Sequence, residues 1–189
     1  MDTKIRCRWC GSDELYQTYH DLEWGNPEHR DEALFELLIL EGFQAGLSWI
    51  TILKRREAFR EAFAQFDYLA LATWSNEQLE AQMQNEQIIR NRLKISSVRT
   101  NAQAFMKIQE KFGSFNQYIW EFVGNAPILN HFAHHGELPA STEISVLLSK
   151  SLKKNGFRFV GPTICYALMQ AAGLVNDHTI DCFRHPNNS

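Results

Sequence analysis

KSLKKNGFRFVGPTICYALMQAAG, residues Lys150–Gly173, is the stretch that decides the fold. It reads as helix, tight turn, helix. Thr142 is placed to cap a helix through EISVLLSKSLKK, and Asn155-Gly156 is placed to end it. Pro162 suits the first position of a second helix, TICYALMQAA, which Gly173 closes. The turn carries Gly156 and Gly161, and Lys150, Lys153, Lys154 and Arg158 crowd around it. A glycine turn that opens a helix presents backbone N–H groups outward, where they can hold a phosphate. The plainer reading is an ordinary αα corner, the commoner use of such a segment. The basic residues beside the turn weigh toward phosphate.

Helix signals also dominate outside this stretch. Ser12 is placed to cap a helix through DELYQTYH, and Asp31 to cap one running toward Ala45. Ser48 opens WITILKRREAFREAF, and Ser75 with Gln78 fits a capping box. RNRLKISSVRTNAQAFMKIQEKF is a long amphipathic candidate stopped by Gly113; Ser114 starts FNQYIWEFV and Gly124 ends it. VGNAPILNHFAHHGELPAST, with Pro127 and Pro139, reads as a loop or a break between lobes. No segment alternates convincingly as a strand, and no repeat or low-complexity tract is present. The expected class is all-α, as one domain across residues 1–189, with FRHPNNS (183–189) a loose tail.

Composition narrows the function classes. An apolar fraction of 44% in 189 residues supports a real core, in one domain or two small lobes around a cleft. A net charge of −3 does not announce a nucleic-acid protein, but it averages over faces. Besides the cluster at the turn, Lys54-Arg55-Arg56 and the set Arg90, Arg92, Lys94 and Arg99 are basic. Each is by default a solvated helix face unless all line one groove. The N-terminus MDTKIRCRWC has no apolar signal region, and no run is long enough to span a bilayer. The expectation is a soluble cytoplasmic protein with no membrane partner. Its four cysteines are then core residues, reactive thiols or metal ligands rather than disulfides.

LLILEGFQAGLSWI, residues Leu37–Ile50, carries a carboxylate inside an apolar run. Leu34, Leu37, Leu38, Glu41 and Ala45 share one helix face at three-to-four spacing. A lone buried carboxylate costs several kcal/mol unless it pairs, protonates or meets a ligand. On this segment alone, the expectation is that Glu41 lies at the helix end and reaches water. Trp9, Tyr16, Tyr19, Trp24 and Trp49 are a heavy aromatic load for the first fifty residues. Aromatics at helical spacing are more often core. Grouped with Glu41, however, they would form a slot for a flat, electron-poor or cationic ring.

Cys7 and Cys10 form CRWC, and His178 and Cys182 form HTIDC, four apart and able to meet on one helical turn. A structural zinc takes four N or S ligands. The other two could come from Cys7, Cys10, His20, or the group His131, His134 and His135. Such a site would staple the chain ends together and leave no open position for a catalytic water.

LYQTYHDLEWG, LEGFQAGLSWITILKRRE, IIRNRLKI and GFRFVGPTICYALMQAAGLVNDH, followed by Cys182, together resemble the 3-methyladenine DNA glycosylase I family. These are bacterial base-excision repair enzymes of the helix-hairpin-helix superfamily. The resemblance runs in order from Cys7 to Cys182. It implies a two-lobed helical fold with the lesion pocket between the lobes. It implies hydrolysis of the N-glycosidic bond of N3-methyladenine in double-stranded alkylated DNA, with free 3-methyladenine as product and no obligatory protein partner. It implies a structural zinc on Cys7, His20, His178 and Cys182, which leaves Cys10 outside the set. Glu41, Tyr16 and Trp49 are placed around the flipped base, with Trp9, Tyr19 and Trp24 close by. Gln44, Gly46 and Leu47 lie against the gap in the duplex, Leu47 as the wedge. The hairpin around Phe159 and Gly161, with Lys153, Lys154 and Arg158, grips phosphates.

Many superfamily members carry a catalytic aspartate in a VDTH-like stretch; here VNDH puts Asn176 at that position and Asp177 one further. No lysine is evident in the pocket motifs, which implies a monofunctional enzyme without lyase activity. Two alternatives are a zinc-stapled helical DNA-binding protein without catalysis and a glycosylase for another modified base.

Overall fold

Short polar side chains cap six of the ten helices, three of them at starts that the sequence predicts. In the computed structural model, which describes residues 4–188, the ten are Glu14–Leu22 (α1), Asp31–Gln44 (α2), Trp49–Leu53 (α3), Arg56–Ala62 (α4), Tyr68–Leu71 (α5), Asn76–Ala81 (α6), Arg92–Phe112 (α7), Phe115–Glu121 (α8), Glu143–Lys154 (α9) and Pro162–Ala171 (α10). The protein is mostly helical, as its sequence predicts. Ser75 and Gln78 form their capping box, Thr142 and Ser145 form another, and Ser114 caps α8 by accepting from the Gln117 N–H. Pro162 is the first residue of α10.

Three boundaries differ from the sequence reading. Asp13, not Ser12, caps α1 by accepting from the Tyr16 N–H. Asp31 is the first residue of α2, with Arg30 at the cap position. Its carboxylate instead accepts from the Phe115 and Asn116 N–H groups at 2.9 and 2.8 Å, so it caps the neighbouring α8 and ties the two helix starts together. WITILKRREAFREAF divides into α3 and α4 at Arg55, whose φ of −108° and ψ of 4° leave the helical region. Beyond the break, Phe59 and Phe63 pack on Phe43 of α2. Trp49 before it lies against Tyr19.

Helix α2 is the axis of the core. Nearly every residue from Leu34 to Phe43 is buried, the signature of a helix surrounded on all sides. It packs against α3, α7, α8 and α10, while α9 and α10 lie against each other. Two strands that the sequence did not reveal, Ile128–Leu129 (β1) and Val175–Asn176 (β2), pair in parallel. At two residues each, they are too short to show alternation.

Residues 183–188 are docked, not loose. The Phe183 N–H donates to the Ile5 carbonyl at 2.8 Å, and the Asn188 amide donates to the Ile180 and Cys182 carbonyls. His185 is fully buried with its ring against His131. Ser189 lies outside the described residues. No described helix is long and apolar enough to cross a membrane.

Candidate active site and metal cluster

Helices α1, α2, α3 and α10 converge on a pocket of about 220 Å³. Its walls are Trp9, Tyr16, Tyr19, Trp24 and Trp49, joined by Glu41 and Gln44 from α2. Ala167 and Gln170 of α10 and His135 and Leu138 of the preceding loop complete it. Trp9 meets Tyr16 and Trp24 edge-to-face at 4.9 and 5.0 Å, and Tyr19 meets Trp49 at 5.4 Å. Aromatic pairs favour such offsets and angles, so the wall is rigid as well as apolar.

Glu41 is only 2% exposed, which overturns the expectation that it reaches water. Three more residues of α2 follow it, and the aromatic side chains close over it. Its Oε2 is sealed and has no hydrogen-bond partner among the described residues. Desolvation pushes its pKa up to about 8. The indole N–H groups of Trp9 and Trp49 are likewise buried and unpaired. Native interiors pair the large majority of such atoms, so three orphans lining one pocket mark a site built for a polar ligand. Burial also raises the Tyr16 hydroxyl to about 12, which keeps it a neutral donor at ordinary pH.

Behind this wall lie Cys7, His20, His178 and Cys182, all buried, with one ligand atom from each within 4.8 Å of the others. Cys7 Sγ and Cys182 Sγ stand 3.6 and 3.5 Å from His178 Nδ1, and Cys182 Sγ stands 3.4 Å from His20 Nε2. A tetrahedron with ordinary zinc–sulfur and zinc–nitrogen bonds has S···N edges of about 3.5 Å. Asp21 accepts from His20 Nδ1 at 2.8 Å, and the Trp24 carbonyl accepts from His178 Nε2 at 3.1 Å. These partners take the ring protons and leave His20 Nε2 and His178 Nδ1 with lone pairs turned into the cluster. The Thr179 and Arg184 N–H groups donate to the two sulfurs.

With protons alone, the Cys7 thiol is raised by its bond to Cys182 and by burial, while Cys182 is lowered by the same bond. Two neighbouring thiolates need a cation, and the donor set fits zinc. His178 and Cys182 meet through a non-helical turn rather than the helical one their spacing predicted. Gly25, at φ 75°, permits the close approach: a Cβ there would lie 3.1 Å from His178 Nε2. Cys10 stays outside the set and donates its thiol to the Cys7 carbonyl at 3.1 Å. Trp9 packs on His20 and Trp24 on His178, so the cluster backs the pocket wall.

Two further features adjoin α2 beyond Glu41. The turn Gln44–Leu47 closes with a hydrogen bond from the Leu47 N–H to the Gln44 carbonyl; Gly46 and Leu47 are exposed, Leu47 by 41%. Lys94 of α7, which the sequence offered only as part of a basic cluster, is buried and donates to the Phe43 and Ala45 carbonyls at 2.8 Å each. It thereby caps the end of α2 just before the Gln44–Leu47 turn. The hairpin between α9 and α10 lies against α2 one residue past Glu41, since a Cβ on Gly42 would sit 3.5 Å from Phe159 Cβ. Asn101 clamps this hairpin by accepting from the Arg158 N–H and donating to its carbonyl. Phe159 holds φ 56°, and Gly161 is the cap residue of α10. Lys153, Lys154 and Arg158 are exposed.

The sequence matches the methyladenine glycosylase family model over residues 9–185. The chain belongs to that family. It is 48% identical to DNA-3-methyladenine glycosylase 1 of Escherichia coli (strain K12) over 183 residues, covering 97% of this chain and 98% of that protein. A crystal structure of 3-methyladenine DNA glycosylase I superposes with a TM-score of 0.94 at 49% identity, covering 96% of this chain and 100% of that one. A variant of 3-methyladenine DNA glycosylase I solved in complex with 3-methyladenine superposes with a TM-score of 0.93 at 35% identity, covering 96% and 97%.

Within this methyladenine glycosylase, VNDH does not supply a free aspartate. Asp177 is 1% exposed and accepts from Tyr166 Oη at 2.6 Å, Gln170 Nε2 at 2.8 Å and Asn130 Nδ2 at 2.7 Å. Asn176 is spent on the His178 N–H. His135, Gln170, Lys94 and Asn101 escaped the sequence reading of the site. His135 had a local signal as one of a histidine group, read as candidate metal ligands, and Lys94 as part of a basic cluster; Gln170 and Asn101 had none.

Proposed function

We propose that the protein is a monofunctional cytoplasmic DNA repair glycosylase of the helix-hairpin-helix type. It hydrolyses the N-glycosidic bond of N3-methyladenine in alkylated double-stranded DNA and releases free 3-methyladenine. The observation that carries this reading is the sealed, unpaired carboxylate of Glu41 in an aromatic pocket. The names and the bound base of the relatives support it.

Alkylation at N3 gives the base a positive charge, which an ionised Glu41 favours and which aromatic faces attract. The exocyclic amine donates to Glu41, the Tyr16 hydroxyl adds a hydrogen bond, and Trp49 stacks, with Trp9, Tyr19 and Trp24 completing the wall. Stacking on an aromatic is worth ~1–3 kcal/mol per base. The nucleotide must leave the stack, at a cost of a few kcal/mol, and Leu47 on its glycine turn fills the gap. The C1′–N9 bond then breaks with its electron pair going to the base, which neutralises the charge. Water adds to C1′ and loses its proton to solvent. Such a leaving group needs little help from an acid, consistent with the commitment of Asp177 elsewhere. Unmodified adenine has no charge for Glu41 to stabilise.

The hairpin at Phe159 and Gly161, with Lys153, Lys154 and Arg158, positions phosphates without reading sequence. A zinc ion held by Cys7, His20, His178 and Cys182 would be structural, since four protein ligands leave no place for water. Metal analysis of the Cys182→Ala protein, with melting and activity followed together, tests this. The expected result is metal lost together with stability. A metal-free variant of unchanged stability would remove the staple.

The functional test is chromatographic analysis of bases released from methylated duplex DNA. Release of 3-methyladenine by the protein, and its loss in Glu41→Gln with the fold retained, is the expected outcome. Binding without release would leave a DNA-binding relative. Release of other bases in preference would change the substrate.

A further inference from the structure

We infer that Gln170 determines which purine the pocket accepts, by presenting a hydrogen-bond acceptor of fixed polarity that selects a 6-amino purine over a 6-oxo one. The inference rests on the glycosylase reading and deepens it.

Gln170 lines the pocket from α10, one turn after Ala167. A glutamine amide has a donor end and an acceptor end and can ordinarily turn either toward a ligand. Here it cannot. Gln170 Nε2 donates to Asp177 Oδ2 at 2.8 Å, and a carboxylate offers acceptors only. Asp177 is itself held by Tyr166, a phenol that burial and Asp177 keep protonated and therefore donating. Asn130 holds its other oxygen. The donor end of Gln170 is thus committed inward. Its Oε1 takes no hydrogen bond among the described residues and is not sealed from solvent, so it is the end left for a ligand.

Glu41 cannot make this choice alone. With its pKa raised to about 8, it can carry a proton and donate as readily as it accepts. A keto oxygen could therefore be accommodated at Glu41, whereas Gln170 Oε1 would meet it lone pair to lone pair. Sites that leave a buried polar group wrongly paired reject a ligand more strongly than sites that merely lack a contact.

The test compares release of 3-methyladenine and 3-methylguanine from the same methylated duplex DNA. Gln170→Met keeps the length of the side chain and removes the acceptor. Asp177→Asn leaves Gln170 in place but offers it a donor, which frees the amide to turn over. The expected result is that both variants lower the 3-methyladenine to 3-methylguanine ratio at least tenfold, with Asp177→Asn gaining on 3-methylguanine. If both rates fall together and the ratio stays within twofold in the two variants, Gln170 is a packing residue and the inference is wrong. If the parent protein releases no 3-methyladenine, the glycosylase reading itself has failed.

Discussion

Two carboxylates are buried among the described residues, and they are opposites. Asp177, 1% exposed, accepts three side-chain hydrogen bonds; Glu41, 2% exposed, has an oxygen with none. Their burial is the same and their roles are not. A buried charge whose every partner is supplied by the chain stabilises the arrangement of its donors. One left unpartnered is a cost that the fold carries until a ligand arrives. In this protein the first kind, Asp177, lies one residue past the position where the resemblance implied a catalytic aspartate, so satisfaction of hydrogen bonds separates the two roles better than sequence position does.

The largest break in the comparison comes from deleting each carboxylate. Asp177→Ala strands Tyr166, Gln170 and Asn130 and is expected to cost about 3–5 kcal/mol in denaturant unfolding. Glu41→Gln is expected to cost nothing at neutral pH. Equal losses in the two variants would erase the distinction.

Titration sharpens it nearly as far. The folded-state pKa of Glu41 is raised from the ordinary value of 4.5 to about 8, so between these values the folded protein holds a proton that the unfolded chain has lost. Stability conferred by that proton is complete below pH 4.5 and disappears as pH rises toward 8. Measured against Glu41→Gln, the parent protein should fall behind by roughly 3–5 kcal/mol across this window. A difference independent of pH would mean that Glu41 ionises freely. Activity should move the other way: Glu41→Gln should lower release of 3-methyladenine by roughly 100-fold, about 2.7 kcal/mol of transition-state stabilisation. Unchanged release would take Glu41 out of the site.

The sequence announces what depends on short range. Serine, threonine and proline at helix starts place α6, α8, α9 and α10 correctly because capping is settled within four residues. Asp31 shows the limit. It has the right type for an N-cap and serves as one, but for a helix 84 residues away. The break at Arg55 carries no glycine or proline, and the docking of residues 183–188 depends on partners such as Ile5 and His131 that no local pattern reveals. In the site, aromatic residues and Glu41 stand out by type, so their grouping was legible. Gln170 and Lys94 do not: a glutamine on an apolar helix and a lysine in a basic cluster gain meaning only from Asp177 and from the carbonyls at the end of α2.

The same accounting, applied to the cations, gives the smallest effect and the most local one. Of the three basic clusters, two are used internally apart from Arg55, whose Nε is buried without a partner among the described residues. Lys54 pairs with Asp13, Arg56 with Glu23 and Glu36, Arg90 with Glu86, and Arg92 with Glu80. Arg99 donates to the Trp74 carbonyl and Lys94 to the end of α2. Lys150, Lys153, Lys154 and Arg158 at the hairpin make no ion pair among the described residues. If exposed, unpaired cations are the ones that await a ligand, this cluster should register phosphate and the paired residues of the other two should not. Lys153→Ala should reduce the slope of log affinity against log salt by about 1 and weaken binding alike on all sequences. Lys54→Ala should leave the slope unchanged, because Lys54 is already neutralised by Asp13. Equal slopes in the two variants would show that the hairpin lysines are solvated surface and that the duplex is held elsewhere.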